Sequence, residues 1–275
     1  MLVAFAAGCT TSMRPEAVLS VPAAPQKYAS LVVDARTGKQ IFEMNSSAPR
    51  HPASLTKMMT LYMLFEALEA GRVEKNAEIP VSSYAASRPP SRLGLRAGEH
   101  IDVDTAIRAL AVRSANDVAA AVGEYLAGSE DGFAVAMTAK ARQLGMKNTT
   151  FRNASGLPDE NQLTTARDMA VLAIALRNHF PQYYHYFSST NFMFRGKLVR
   201  GHNDMLGRVR GVDGLKTGYI RASGFNIVTS YSADGRRYIV VVMGANTARE
   251  RNAHAEALLE QALSSSASRT RVTLH

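Results

Sequence analysis

The stretch Met58-Met59-Thr60-Leu61-Tyr62-Met63-Leu64-Phe65 restricts the fold more than any other part of the chain. Its apolar residues would cover nearly every face of a helix, and such a helix is stable only when buried on most sides. The pattern predicts a helix from Ser54 to about Gly71, set in the middle of the molecule. Immediately before the apolar run stands Pro52-Ala53-Ser54-Leu55-Thr56-Lys57. Residues three apart on a helix share a face, so a helix opened by Ser54 brings its hydroxyl beside the Lys57 ammonium, a nucleophile next to a base. The unpaired backbone N–H groups of a helix start also suit a negatively charged oxygen formed during acyl transfer. Taken alone, the same residues read better as an N-cap serine with a lysine snorkelling to solvent.

The chain holds 275 residues, 46% of them hydrophobic, enough for one large domain or two closely packed subdomains around that helix. A formal charge of +9 suits an anionic surface such as membrane or cell wall. The basic residues are scattered without interleaved aromatics, which argues against a nucleic-acid partner. The seven histidines show no paired-ligand spacing, so neither metal nor cofactor is expected. A single cysteine excludes an intrachain disulfide. It closes Met1-Leu2-Val3-Ala4-Phe5-Ala6-Ala7-Gly8-Cys9, an apolar run too short to span a bilayer. That run is similar to the tail of a bacterial lipoprotein signal, although Ala6 stands where Leu is usual and no basic residue precedes Cys9. Read so, the chain is exported and Cys9 is a candidate for lipidation and N-terminal membrane anchoring; the plain alternative is a frayed terminus. Residues 10–26, with Pro15, Pro22 and Pro25, read as a flexible tether.

Tyr28–Asp34 and Lys39–Glu43 are strand-like runs joined by a hairpin signal, Ala35-Arg36-Thr37-Gly38. Residues 73–100, rich in Pro, Ser, Gly and Arg, read as loop. Helical spacing follows over Asp102–Val112, with Asp102 or Asp104 as N-cap, then over Val118–Leu126 and Gly132–Leu144. These helices predict an all-helical subdomain, about 72–160, inserted between strands. A further helix spans Thr165–His179, its entry capped by Thr165. After a Tyr-rich stretch and a loop from Arg200 to Gly214, Phe225–Tyr231 and Tyr238–Met243 form a second hairpin around Ala233-Asp234-Gly235-Arg236, and a last helix covers Thr247–Leu263. The folded unit is therefore expected over 27–264, with 265–275 as a flexible tail.

Three short motifs occur in order: Ser54-x-x-Lys57, Ser114-Ala115-Asn116 and Lys216-Thr217-Gly218, a triple found in penicillin-binding proteins and class A β-lactamases. With them stand Asp34-Ala35-Arg36-Thr37-Gly38, Thr165-Ala166-Arg167-Asp168-Met169-Ala170 and Val212-Asp213-Gly214. On these residues the chain, from about Tyr28 to Leu263, resembles the low-molecular-mass penicillin-binding D-alanyl-D-alanine carboxypeptidases. Serine is a poor nucleophile until a base takes its proton, and a lysine serves only if its pKa, ordinarily ~10.4, is depressed by burial or a second cation. Lys57 is accordingly read as the base and Lys216 as the like charge that favours its neutral form. Ser114 is read as a proton relay to the leaving group and Asn116 as positioning the substrate amide, with a helix N-cap pair as the alternative for both. Lys216 and Thr217 would face a terminal carboxylate, and Gly218 would let the strand edge approach the substrate.

The resemblance implies an oxyanion hole from the backbone N–H groups of Ser54 and Tyr219, where Tyr219 replaces the usual His or Thr. It also implies a place for Arg251 near the carboxylate pocket, against a plain reading as a solvated helix charge. Glu160-Asn161-Gln162-Leu163-Thr164 is only faintly similar to the segment that supplies a deacylating carboxylate in class A β-lactamases, and turn chemistry explains Glu160. The implied fold is α/β (α+β), of the β-lactamase and transpeptidase type: an antiparallel five-stranded sheet flanked by helices plus the inserted helical subdomain. The implied activity is removal of the terminal D-alanine from peptidoglycan stem pentapeptides through an acyl-enzyme on Ser54, with β-lactams as covalent inhibitors. That work belongs in the periplasm or on the outer face of a bacterial membrane. A D,D-endopeptidase, a serine β-lactamase and a non-catalytic penicillin sensor are the competing readings. The strand-rich second domain of many such proteins is not expected, because the sequence stops soon after its last helix.

Overall fold

A computed structural model describes residues 26–272; Cys9 and the rest of residues 1–25 lie outside the described residues. The chain opens with β1 (Ala29–Asp34) and β2 (Gln40–Met44), paired antiparallel. The Asp34 carboxylate accepts from the N–H groups of Arg36 and Thr37 at 2.8 and 3.1 Å, closing the turn locally. A single 3-10 turn, Ala53–Thr56, then leads into α1 (Lys57–Glu69). Ser54 thus stands one turn ahead of the α-helix rather than opening it, and no side chain caps either start.

The segment between α1 and the later strands differs from an all-helical insert. It holds β3 (Glu78–Pro80), the short α2 (Ser83–Ala86) and β4 (His100–Asp102), with Ile79 opposite Ile101 in a two-stranded ribbon. The helix expected to Val112 divides. Asp102 accepts from Thr105 N to start α3 (Val103–Arg108), which widens into a π turn over Ala109–Arg113 and ends at Ser114 with φ 61°. One inserted residue in a helical ladder leaves the apolar spacing almost unchanged, so the widening is invisible to periodicity. Next come α4 (Asn116–Ala127), α5 (Glu130–Gln143) and α6 (Ala166–His179), the last capped by Thr165 accepting from Asp168 N at 3.0 Å.

After a 3-10 stretch over Pro181–Ser188 lies a hairpin absent from the sequence reading, β5 (Asn191–Phe194) and β6 (Lys197–Arg200). Its turn residues Arg195 and Gly196 both take positive φ, without the Asn-Gly or Asp-Gly that marks such turns. The chain then returns as β7 (Val212–Ile220), β8 (Gly224–Ala233) and β9 (Arg236–Ala245) and ends in α7 (Ala248–Val272), which runs on into the stretch read as a tail.

The five long strands form one antiparallel sheet in the order β2-β1-β9-β8-β7, joining both ends of the described chain. Strand side chains alternate between faces, and both faces here are covered. Leu31, Val228, Ile239 and Val241 join the large core around α1 and α6, while Val32, Ile227, Val240 and Val242 pack with Ala255, Leu258 and Leu259 of α7. Each such Val or Leu contributes about 1.5–3 kcal/mol relative to exposure. Two-sided burial explains why Tyr238–Met243 is continuously apolar. As expected from its composition, α1 is buried nearly all round, and it carries Lys57 into the centre of the molecule against the sheet's edge strand β7.

Candidate active site

Ser54 projects from a tightly built corner. Ala53 before it has φ +49°, an uncommon conformation for a residue with a side chain. The corner holds because its neighbours come very close. A Cβ on Gly156 would lie 1.8 Å from Ala53 O, and one on Gly218 3.0 Å from Ser54 N. From β8, the Asn226 amide donates to His51 O and Pro52 O at 3.1 and 3.2 Å, while its oxygen accepts from Gly244 N.

Lys57 is fully buried, with its Nζ 3.2 Å from Ser54 Oγ, 2.7 Å from Asn116 Oδ1 and 2.6 Å from Ser155 O. The last two atoms only accept, so each takes an N–H from Nζ; in the neutral amine the lone pair would then be left for the Ser54 hydroxyl. Burial, and then the positive charge of Lys216, push the Lys57 pKa well below the ordinary lysine range; Glu130 and Asp117 act weakly the other way. The Asn116 side-chain nitrogen donates to Pro89 O, which fixes the amide's orientation. Neither Ser114 nor Asn116 caps α4. The Ser114 hydroxyl is buried and, among the described residues, without a hydrogen-bond partner.

Opposite, β7 supplies Lys216, Thr217 and Gly218. Lys216 is buried and donates to Thr217 O at 2.9 Å; burial, then the charge of Arg251, bring its pKa down to about 7. Arg251 is no solvated charge. It is 3% exposed, its guanidinium donates to Asn252 Oδ1 at 3.0 and 2.7 Å, and burial lowers its pKa to about 10, with Asp204 opposing. Tyr219 is 54% exposed and packs on Phe225 with ring centres 4.3 Å apart. A cavity of about 520 Å³ brings Ser54, Ser114, Asn116, Thr217, Tyr219 and Arg251 to one surface. Glu160 is exposed and does not line it. Among the described residues, no three or more His, Cys, Asp or Glu side chains gather as a metal site, and no helix is long and apolar enough to cross a membrane.

Sequence reasoning missed the groups that hold this arrangement. Buried Asp117 accepts from the N–H groups of Leu93, Gly94 and Leu95 and pins the loop that reaches Asn116. Buried Glu130 accepts from Ala154 N at 2.9 Å and Tyr84 Oη at 2.6 Å, raising the Tyr84 pKa to about 12 together with desolvation, the larger cause. Asn153 Oδ1 gathers the N–H groups of Ser155, Gly156 and Leu157, presenting Ser155 O to Lys57. A polar Asn226 between Phe225 and Ile227 was the one visible signal, since a strand interior seldom spends a buried position on an amide.

The fold is one shared with solved penicillin-binding peptidases. The D-alanyl-D-alanine carboxypeptidase DacD from Francisella tularensis superposes with a TM-score of 0.84 at 29% identity, covering 94% of this chain and 74% of that one. Penicillin-Binding Protein D2 from Listeria monocytogenes, in its ampicillin-bound form, gives 0.74 at 29% identity, with 84% and 95% covered. Residues 19–247 match the Peptidase_S11 family model, D-alanyl-D-alanine carboxypeptidase, and the chain belongs to that family. It is also 34% identical over 246 residues to the D-alanyl-D-alanine carboxypeptidase DacF of Bacillus subtilis (strain 168), covering 88% of this chain and 63% of that protein. The chain thus spans less than two thirds of that relative's length.

Proposed function

We propose that the protein is a serine D,D-carboxypeptidase that releases the terminal D-alanine of peptidoglycan stem pentapeptides. The observation that carries this reading is the Lys57 amine, its pKa pushed well below the ordinary lysine range by burial and then by the charge of Lys216, in contact with Ser54 Oγ beside a cavity that Thr217 and Arg251 also line. Ser54 Oγ attacks the carbonyl of the penultimate residue as its proton passes to Lys57 Nζ. The backbone N–H groups of Ser54 and Tyr219 receive the developing oxyanion, and Asn116 orients the substrate amide. Collapse breaks the C–N bond; Ser114, unpartnered at the cleft, relays the proton from Lys57 to the departing amine. Water then hydrolyses the ester. Lys216, Thr217 and Arg251 hold the carboxylate that marks the chain end, and Gly218 keeps the β7 edge bare for the substrate backbone.

β-Lactams, whose strained amide mimics the D-Ala-D-Ala end, would acylate the same serine. Residues 27–264 form the catalytic unit in this reading. It works outside the cytoplasmic membrane, where such stems lie, held by a lipid on Cys9. Mass spectrometry of penicillin-treated protein tests the proposal: an adduct on Ser54 that persists for minutes is expected. Absence of an adduct overturns acyl transfer, and loss within seconds points to a β-lactamase. The same spectra, read at the mature N-terminus of protein made in a bacterial host, decide the lipid: an acylated Cys9 is expected, and an unacylated N-terminus removes that part.

A further inference from the structure

β7 carries Lys216 and Thr217, yet as the sheet's edge strand it is paired within the sheet with β8 alone. The pairing is irregular at its start. Val212 lies opposite Tyr231 and Gly214 opposite Ser230, so Asp213 has no cross-strand partner of its own. A residue inserted in this way is a β-bulge, and it sets which face every later side chain takes. Beyond it Lys216 lies opposite Val228, which joins the core around α1, and Thr217 opposite Ile227, which packs toward α7. Were Asp213 itself opposite Ser230, Lys216 would oppose Ile227 and turn to the α7 face, away from α1.

Side chains hold the bulge where the ladder does not. Arg177 Nη2 donates to both Asp213 carboxylate oxygens at 2.6 Å, and Ser230 Oγ donates to one of them at 2.7 Å. Ser230 in turn accepts from Tyr184 Oη at 2.8 Å, and the Arg177 guanidinium lies 3.9 Å from the centre of the Tyr184 ring. Burial, the largest cause, pushes the Tyr184 pKa up to about 12, so its hydroxyl keeps the proton it donates. The backbone of the bulge is tied as well: Asp213 O accepts from Ser188 Oγ at 3.0 Å and Gly214 O from Thr229 Oγ1 at 2.8 Å. A Cβ on Gly214 would lie 3.1 Å from Ser230 Oγ and 3.2 Å from Phe187 Cβ, so the missing side chain lets the 3-10 stretch close on the strand. Neither Asp213 nor Arg177 lines the catalytic cavity.

We propose that Asp213, tied to Arg177 and Ser230, is the positioning residue that fixes the register of β7 and so aims Lys216 and Thr217 at the substrate's terminal carboxylate. It acts through those two residues and touches no reacting atom. The inference rests on the carboxypeptidase reading, which gives Lys216 and Thr217 that carboxylate, and deepens it by naming what sets their aim.

The test measures kcat and KM for a D-Ala-D-Ala peptide with a free C-terminus and for its C-terminally amidated analogue, in the full chain, in Asp213→Ala and in Asp213→Asn. Labelled penicillin on Ser54 at saturation counts the folded fraction of each protein. Asp213→Ala is expected to lower kcat/KM for the free acid about thirtyfold, mostly through KM, and for the amide less than about threefold, so that the ratio of the two falls about tenfold or more. Asp213→Asn keeps an acceptor for Ser230 and loses the charge facing Arg177; its ratio is expected to fall about threefold or more. Val32→Ala, a buried substitution on β1 with β9 and β8 between it and β7, is the structural control: it lowers the denaturant midpoint and leaves the ratio within about twofold of the parent. An Asp213→Ala protein that labels fully, loses stability as Val32→Ala does and keeps the parent ratio overturns the inference and leaves the carboxypeptidase standing. If Asp213→Ala fails to label, the ratio in Asp213→Asn decides, and a ratio within about twofold of the parent overturns the inference. A parent protein that releases no D-alanine from the free acid overturns both.

Discussion

The two sides of the cleft each bury a lysine, but only one of the two has its hydrogen bonding completed by the protein. On the helical side Lys57 meets Ser54, Asn116 and Ser155, three oxygens from three separate elements. On the strand side Lys216 has, among the described residues, a single acceptor, the carbonyl of Thr217, and its neighbour in charge is another cation, Arg251. A buried charge is normally paired. Here the charged neighbour that acts on buried Lys216 is another cation, Arg251, an arrangement that suits an anion. In the proposed function the difference separates two tasks: a base on α1 that meets its acceptors within the protein, and a recognition wall on β7 and α7 for the substrate carboxylate.

Substituting the two lysines separately either sharpens or breaks that division. Lys57→Gln is expected to lower acylation by about 10⁴-fold or more, for penicillin and peptide alike, because the hydroxyl loses its base. Lys216→Gln is expected to cost about a hundredfold in kcat/KM for a free-carboxylate peptide, the scale of one lost charged hydrogen bond, and only a few-fold for the C-terminally amidated analogue. It should also move the acid limb of the pH profile. Lys216 holds the Lys57 pKa down, so removing it raises that pKa, and the neutral base appears only at higher pH. Equal losses on the free and amidated peptides would show that the two lysines do one job. Stopped-flow acylation across pH measures both effects.

The strands and helices were legible wherever a local rule set them. The Asp34 turn closes the first hairpin from within, the Thr165 cap starts α6, and the apolar β8 and β9 runs alternate into two cores. The β5–β6 hairpin was not legible, because Arg195-Gly196 is not a recognised turn pair. The π turn after α3 was hidden because spacing cannot count an extra residue. In the site, Ser54, Ser114, Asn116, Thr217 and Gly218 of the short motifs line one cavity, whereas the residues that support them had no local signature. Asn226 reaches His51 across 175 positions, and Glu130 serves a backbone N–H in a loop 24 residues away. Gly156 is required by the carbonyl of Ala53, a neighbour only in space. Motifs record chemistry along the chain; the packing that aims it is a property of the fold.

Arg251 is the finer probe of the recognition wall. Arg251→Gln is expected to raise KM for the free-carboxylate peptide about tenfold, with a smaller change in kcat, since one charged donor of several is lost. Its second effect is diagnostic. The Arg251 charge is, after burial, the cause that brings Lys216 to about pKa 7. A carboxylate is held more strongly while Lys216 is protonated, so kcat/KM should fall above about pH 7 in the parent protein. Without Arg251 the Lys216 pKa rises, and that alkaline limb moves to higher pH. Stability follows the same sign. Between about pH 7 and ~10.4 the unfolded chain holds a proton on Lys216 that the native state has released, so the parent gains stability as pH rises through that window. Arg251→Gln narrows the window and flattens the gain, which denaturant midpoints at pH 7 and 9.5 would register. A purely structural arginine would shift the midpoints equally at both pH values and leave the alkaline limb where it was.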